Sequence, residues 1–324
     1  MKALYKDYAD VWHCHNRSGH LKNIKRIVKM RLDTLQVEYH SDNFGNIIVG
    51  NFEKSKPCIV AHLDSVHSKA SKTIYFDGNR LSSDNGIGAD DKCGIISALE
   101  CLKDCDVNAV FTIDEEIGCI GADKINKDIF KNTCYFIEVD RRGCDEVINN
   151  LCYPSSTGAV MDEALKPFMD SFGLKFGDGT FTDLSEIIPE VKIGGINLCA
   201  GYYEAHTSKE YVILSELYKS ICFCKAVFKG IRDAFPIEVD EDYGFGSFGG
   251  VSQGASFLVD DIQEADSIGD LFNVMLDLYG QDSLMFEGLK KAYEIGMDEG
   301  QGIDDAIKPI DYDARSFRAS FDRK

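Results

Sequence analysis

The sequence lacks a C-x-x-C pair although it holds twelve cysteines. It therefore lacks the usual spacing of a thiolate metal site or redox pair. Cys101 with Cys105, and Cys222 with Cys224, read as small core residues rather than ligand pairs. Long apolar runs are also missing. The longest are strand-like pieces such as CIVA and YFI, which excludes a bilayer-spanning helix and a membrane partner. Basic residues are too few to balance the acidic ones, 35 against 54, and the net charge is -19. That balance argues against nucleic acid as a partner and leaves divalent cations open. The opening MKALYKDYAD is polar where a secretory leader is apolar, and the thiols read as free, so a cytoplasmic compartment is expected.

What is present is an alternation of strand and helix signals. A helix is expected from Gly19 to Leu35, opened by Ser18, with Leu21, Ile24, Ile27, Val28 and Leu32 on one face and Lys22, Lys25, Arg26 and Lys29 on the solvated one. Strands are expected at VEYHS, NIIVGNF, PCIVAHL, NAVFTID, TCYFIEVD and KIGGINLCA, with a helix over Lys92 to Leu102. This order indicates an α/β layered domain, whose ligands gather beyond the carboxyl ends of the strands. The composition then shifts. All twelve cysteines precede residue 225, and residues 237–324 hold 20 acidic against 7 basic side chains, beginning in the glycine-rich DEDYGFGSFGGVSQG. A boundary is expected near Pro236, dividing a domain of residues 1–236 from an acidic linker and helical extension at 237–324, with short helices over SIGDLFNVMLDLYG and SLMFEGLKKAYEIGMDEG.

Metal-ligating residue types recur at successive strand ends. CIVAHLDSVH carries His62 and Asp64, IGADDKCG carries Asp90 and Asp91, FTIDEEIG carries Glu115 and Glu116, YFIEVDRRG carries Asp140, and AGYYEAHTSKEY carries His206. Each alone reads as a strand or helix cap. Five strand ends in series read otherwise. His62 and Asp64, two apart on extended chain, point to one side, so the carboxylate can orient the imidazole while its other nitrogen takes a metal. Asp90 follows Gly86 and Gly88, which allow close backbone approach, and a carboxylate there can bridge two cations. His13, His15 and His20 read as surface residues of a flexible amino end.

In this order HLDSVH, GADDKCG, DEEIG, EVD and EAHTSKEY resemble the co-catalytic dizinc exopeptidase superfamily, which includes peptidase T, aminoacylases, glutamate carboxypeptidases and compact aminopeptidases. The resemblance covers residues 20 to 230. It implies a three-layer α/β domain of the phosphorylase/hydrolase-like kind, with a mixed, mostly parallel central sheet flanked by helices. It implies two Zn2+ ions, with Co2+ or Mn2+ as substitutes. Carried over residue by residue, His62 and Asp140 would hold one ion, Glu116 and His206 the other, and Asp90 both; Asp64 would orient His62. Glu115 would be the general base in hydrolysis of a peptide or an N-acyl amino acid. A cis peptide between Asp90 and Asp91 is also implied.

The chain departs from many relatives in having no room for an inserted lid. Only 27 residues separate His62 from Asp90 and 65 separate Asp140 from His206. The compact aminopeptidase or di/tripeptidase branch is therefore the nearer analogue, with deacylase or carboxypeptidase activity as the alternative. Asp91 and Glu138 are candidates, by position, for gripping a free α-amino group. Tyr202 and Tyr203 are candidates for an oxyanion donor or a packing ring, and equally for core aromatics. A two-metal phosphoesterase is disfavoured by the lack of a basic phosphate grip. A metal-dependent scaffold is disfavoured by the presence of Glu115. Self-association is left open.

Overall fold

The six apolar runs read as strands are strands in the computed structural model, which describes residues 1–151 and 155–238. In chain order the strands are β1 (Tyr39–Ser41), β2 (Ile47–Val49), β3 (Lys56–His62), β4 (Ile74–Phe76), β5 (Arg80–Ser83), β6 (Asn108–Thr112), β7 (Thr133–Arg141), β8 (Glu146–Leu151), β9 (Lys175–Gly179), β10 (Gly195–Cys199), β11 (Tyr202–Tyr203) and β12 (Tyr211–Ile213). The α-helices are α1 (Lys2–Asp7), α2 (Ala9–Trp12), α3 (Lys22–Leu35), α4 (Ala89–Asp104), α5 (Ile120–Lys124), α6 (Gly158–Phe172), α7 (Asp183–Val191) and α8 (Leu214–Gly230). The linker and two helices expected after residue 236 lie outside the described residues beyond Glu238.

Eight strands form one mixed sheet in the order β1-β2-β6-β3-β7-β10-β8-β9. Its central four, β6, β3, β7 and β10, are parallel to their neighbours within that group. Successive side chains on a strand point to opposite faces, and both faces here are apolar, so one sheet builds two cores. Ile59, Ala61, Ala109, Phe111, Tyr135 and Ile137 feed the core that includes residues of α3, α4 and α8. Cys58, Val60, Val110 and Phe136 feed the opposite core with Ala122 of α5 and Leu184 and Ile187 of α7. The same alternation puts His62, Glu138 and Asp140 on the face of Val60 and Phe136. Because the four central strands run together, their carboxyl ends open on one side.

The two gaps between expected ligands hold regular structure. Between His62 and Asp90 lies the hairpin β4–β5, which joins β12 and β11 in a small antiparallel sheet. Between Asp140 and His206 lie β8, α6, β9, α7, β10 and β11.

Two local expectations are corrected. Ser18 does not open α3, whose N-cap is Leu21; the Ser18 hydroxyl donates to Asp64 Oδ2 at 2.8 Å, a charged acceptor that outcompetes the helix end. The amino end is not loose either. Leu4, Tyr8, Val11 and Trp12 are buried in the larger core, and the Tyr8 hydroxyl donates to Glu100 Oε1 at 2.7 Å. Its histidines divide: His13 and His20 are exposed, whereas the half-buried His15 has Nε2 2.8 Å from the carbonyl of His67. Among the described residues no helix is long and apolar enough to cross a membrane.

Candidate metal centre

His62 is the last residue of β3 and is fully buried. Its Nε2 lies 3.1 Å from Asp90 Oδ1 and 3.7 Å from Asp140 Oδ1. Its Nδ1 lies 3.4 Å from Asp64 Oδ1, the contact the two-residue spacing predicts. Asp64 does more than face the imidazole: its oxygens accept from the backbone N–H groups of Glu115 (3.0 Å) and Glu116 (3.2 Å). One carboxylate thus ties the end of β3 to the loop after β6.

That loop divides three adjacent carboxylates among three tasks. Asp114, at φ 53, accepts from the Gly19 N–H at 2.8 Å and so holds the approach to α3. Glu115 places Oε2 at 3.9 Å from His62 Nε2, while its Oε1 accepts from the buried Cys119 thiol at 3.6 Å. Glu116 places Oε2 at 3.2 Å from His206 Nε2, and its buried Oε1 has no hydrogen-bond partner among the described residues.

Asp140, near the end of β7, is bracketed by Asn197 of β10, which accepts from its N–H (2.9 Å) and donates to its carbonyl (3.0 Å). The buried Tyr202 hydroxyl donates toward Asp140 Oδ1 (3.1 Å) and Asp90 Oδ2 (3.3 Å). Tyr202 is therefore engaged by carboxylates and not held free as an oxyanion donor. Tyr203 turns away, donating to Glu216 at 2.6 Å and stacking on Tyr211 at 5.2 Å. His206 adopts φ 64 in a turn closed by the Thr207 hydroxyl on the Glu204 carbonyl at 2.8 Å. Its Nε2 also lies 3.2 Å from Asp90 Oδ2.

The expected residues therefore come together as two sets, His62 with Asp90 and Asp140, and Asp90 with Glu116 and His206. Within each set the donor atoms lie within 4.8 Å of one another. Asp90 belongs to both. The Asp90–Asp91 peptide is cis. Asp91 and Glu138 do not offer a grip for an amine, because both are fully buried and turned elsewhere. Asp91 accepts from the N–H groups of His62 (3.1 Å) and Gly94 (2.7 Å). Glu138 accepts from the Thr182 hydroxyl at 2.6 Å.

The site also contains residues the motifs did not mark. Asp183, at the start of α7, is fully buried and accepts from the Thr112 hydroxyl. Its only sequence signal is the capping pattern TFTDLSE, which predicts a helix start and not this contact. Cys119 and Asn197 carried no signal beyond their place in an apolar segment.

The electrostatics are lopsided. Asp64, Asp90, Asp91, Glu115, Glu116, Glu138, Asp140 and Asp183 are buried or half-buried together. Among the described residues their ion-pair partners are His62 and His206, with no lysine or arginine. Burial pulls the His62 imidazole down, but Asp140, Asp64 and Asp90 outweigh it and hold it well above the ordinary range. Against burial, Asp90 and Glu116 push His206 up to about 12. Burial, aided by Asp90, pushes Asp140 up to about 7. Burial also drives Glu115 well above its ordinary range, with Glu116 and Asp140 adding and His62 opposing. Such a cluster holds either protons or cations, since unpaired buried carboxylates are costly.

The donor set fits divalent ions of the zinc type. Two ligand atoms on one tetrahedral zinc lie about 3.3 Å apart, from bonds of about 2.0 Å. The spacings of 3.1, 3.7, 3.2 and 3.2 Å across the two sets bracket that value. Imidazole and carboxylate donors suit zinc and also manganese or cobalt.

Fold and site together define an α/β protein with a carboxylate-bridged cluster of metal-ligand type at the carboxyl ends of its parallel strands. No family model matches the sequence, and no curated protein matches it. Solved structures do. The chain is similar to the aminopeptidase PepT of Bacillus cereus, with a TM-score of 0.61 and 15% identity, covering 71% of this chain and 98% of that one. It is similar to a tripeptidase from Staphylococcus aureus, with a TM-score of 0.61 and 14% identity, covering 70% of this chain and 97% of that one. It is also similar to the Pyrococcus horikoshii TET1 peptidase, described as assembling into a tetrahedron or a large octahedral shell, with a TM-score of 0.53 and 14% identity, covering 69% and 99%. At these identities the likeness is one of fold, shared with these peptidases.

Proposed function

We propose that the chain is a metal-dependent hydrolase of peptide bonds, an aminopeptidase or di/tripeptidase. The reading rests on one observation: two donor sets share Asp90, and a further carboxylate, Glu115, stands beside them without belonging to either. His62, Asp90 and Asp140 would hold one zinc ion, and Asp90, Glu116 and His206 a second. When bound, such ions lower the pKa of water and polarise a carbonyl. Asp64 fixes the His62 imidazole through Nδ1 and leaves Nε2 facing the cluster. Glu115 is the general base. With Oε1 on the Cys119 thiol, Oε2 is the oxygen turned to the cluster, placed to take a proton from water and return it to the departing amine.

The free thiols among the described residues favour a reducing, cytoplasmic setting. Likeness to the assembling Pyrococcus peptidase supports self-association, which sedimentation would read. Residues 237–324 are proposed as a separate acidic extension of the catalytic unit.

The test is chelation followed by zinc readdition, over aminoacyl-anilides, dipeptides, tripeptides, N-acyl amino acids and a phosphodiester. Expected is hydrolysis of the first three, lost on chelation and restored by zinc. Cleavage confined to N-acyl amino acids would move the activity to deacylation. Zinc binding without turnover on any substrate would make the chain a binding protein.

A further inference from the structure

Asp90 is the residue common to both donor sets, yet its helix has no cap of its own: Gly88 stands at the N-cap of α4, without a side chain. The cap comes from 120 residues away. Glu210, in the turn before β12, is fully buried. Its Oε2 accepts from the N–H groups of Gly88 (2.5 Å) and Ala89 (3.1 Å), and its Oε1 from the N–H of Asp90 (3.3 Å). His67 Nε2 adds a further contact to Oε2 at 2.9 Å. His67 is itself confined. Its carbonyl accepts from His15 Nε2 at 2.8 Å, and a Cβ on Gly86 would fall 2.1 Å from its ring.

We propose that Glu210, seated by His67, is the positioning residue of the metal centre: it holds the backbone of Gly88, Ala89 and Asp90, where the start of α4 is kinked and Asp90 and Asp91 are non-helical, so that the two oxygens of Asp90 address His62 and His206 at once. The inference rests on the reading of Asp90 as a shared ligand. Three of the four groups that meet Glu210 are backbone N–H donors, and His67 Nε2 is a fourth in the tautomer that carries its proton there; a carboxylate, with acceptor oxygens only, suits all of them. An amide in its place turns an NH2 group toward an N–H, and the backbone of residues 88–90 must move. A shift of the Asp90 backbone is felt by both ions, whereas loss of Glu116 or His206 is felt by one.

The experiment is a calorimetric zinc titration of the metal-free parent, Glu210→Gln and His67→Ala, with circular dichroism confirming that each is folded. The parent is expected to bind two ions. In Glu210→Gln both steps weaken, each by about 10- to 100-fold, the range for residues that orient ligands. His67→Ala weakens both by less. A parent that binds no zinc defeats the proposed function, and this inference falls with it. A parent that binds two ions while folded Glu210→Gln binds them equally well overturns the inference alone. Weakening of a single step overturns it too, because Glu210 would then not act through Asp90. A merely structural residue lowers Tm and leaves the zinc affinity of folded protein unchanged. Should Glu210→Gln not fold, His67→Ala decides on the same readout, and parental affinities in it overturn the proposal.

Discussion

Replacing Glu115 by Gln changes one oxygen for an NH2 group and leaves volume nearly constant. The loop that carries it should stay in place, because Asp64 holds the loop through the backbone N–H groups of residues 115 and 116. Metal content should also stay, because Glu115 is in neither donor set and its Oε2 is 3.9 Å from His62 Nε2. What disappears is the proton acceptor. Loss of a general base costs about 10²- to 10⁴-fold in rate, which corresponds to about 3 to 5 kcal/mol of transition-state stabilisation. The assay is kcat on a dipeptide with zinc stoichiometry measured on the same sample. Expected is a fall of that size in kcat with parental zinc content and little change in KM. A kcat within about threefold of the parent, or a loss of turnover explained by lost zinc, would refute the assigned role.

Asp90→Asn should abolish tight binding of both ions, while Glu116→Gln should weaken the one shared with His206 and spare the other; zinc stoichiometry after gel filtration separates the two patterns. Stability of the chelated protein should fall as pH rises from about 4 to about 7. Burial raises Asp140 and Asp183 from 3.8 to about 7 and about 6, with Asp90 adding at Asp140 and His62 opposing at both, so the native state binds protons more tightly and that stabilisation is lost through these values. Asp64 and Asp90 are shifted the other way, so their contribution is lost only in more acidic solution. A Tm that rises over the same window in the chelated protein would contradict the burial of this cluster, and Asp140→Asn should flatten the slope. Gly94→Ala should lower stability by about 1 to 3 kcal/mol, as overpacking does, because the added Cβ would fall 2.2 Å from Asp91 Oδ2. Denaturant unfolding equal to the parent would sink that prediction.

The strands legible in the sequence were those whose physics is local. Lys56–His62 and Asn108–Thr112 are almost wholly buried, and an apolar run announces a strand covered on both faces. Those not read are short, edge-like or polar. Lys175–Gly179 is KFGDG, with two glycines and exposed or half-exposed positions throughout, and it becomes a strand by pairing with β8. Ile74–Phe76 has three residues and owes its conformation to Arg80–Ser83. The site divides along the same line. His62, Asp64, Asp90, Glu115, Glu116, Asp140 and His206 were legible because metal-ligand chemistry selects residue types; β3, β6 and β7 deliver His62, Asp64, Glu115, Glu116 and Asp140 at their parallel ends, while Asp90 comes from the start of α4 and His206 from the turn after the antiparallel β11. Glu210 was not, although it stands four residues from His206, because it meets backbone N–H groups that every residue possesses. Nothing in the type of residue at 88, 89 or 90 records that a carboxylate must arrive from position 210. Ser18 shows the converse: a serine before a helix reads as a cap until a charged acceptor, Asp64, is within its reach. Residues that bind through their own chemistry can be read along a chain, whereas those that bind another segment's backbone become visible only when the two segments meet.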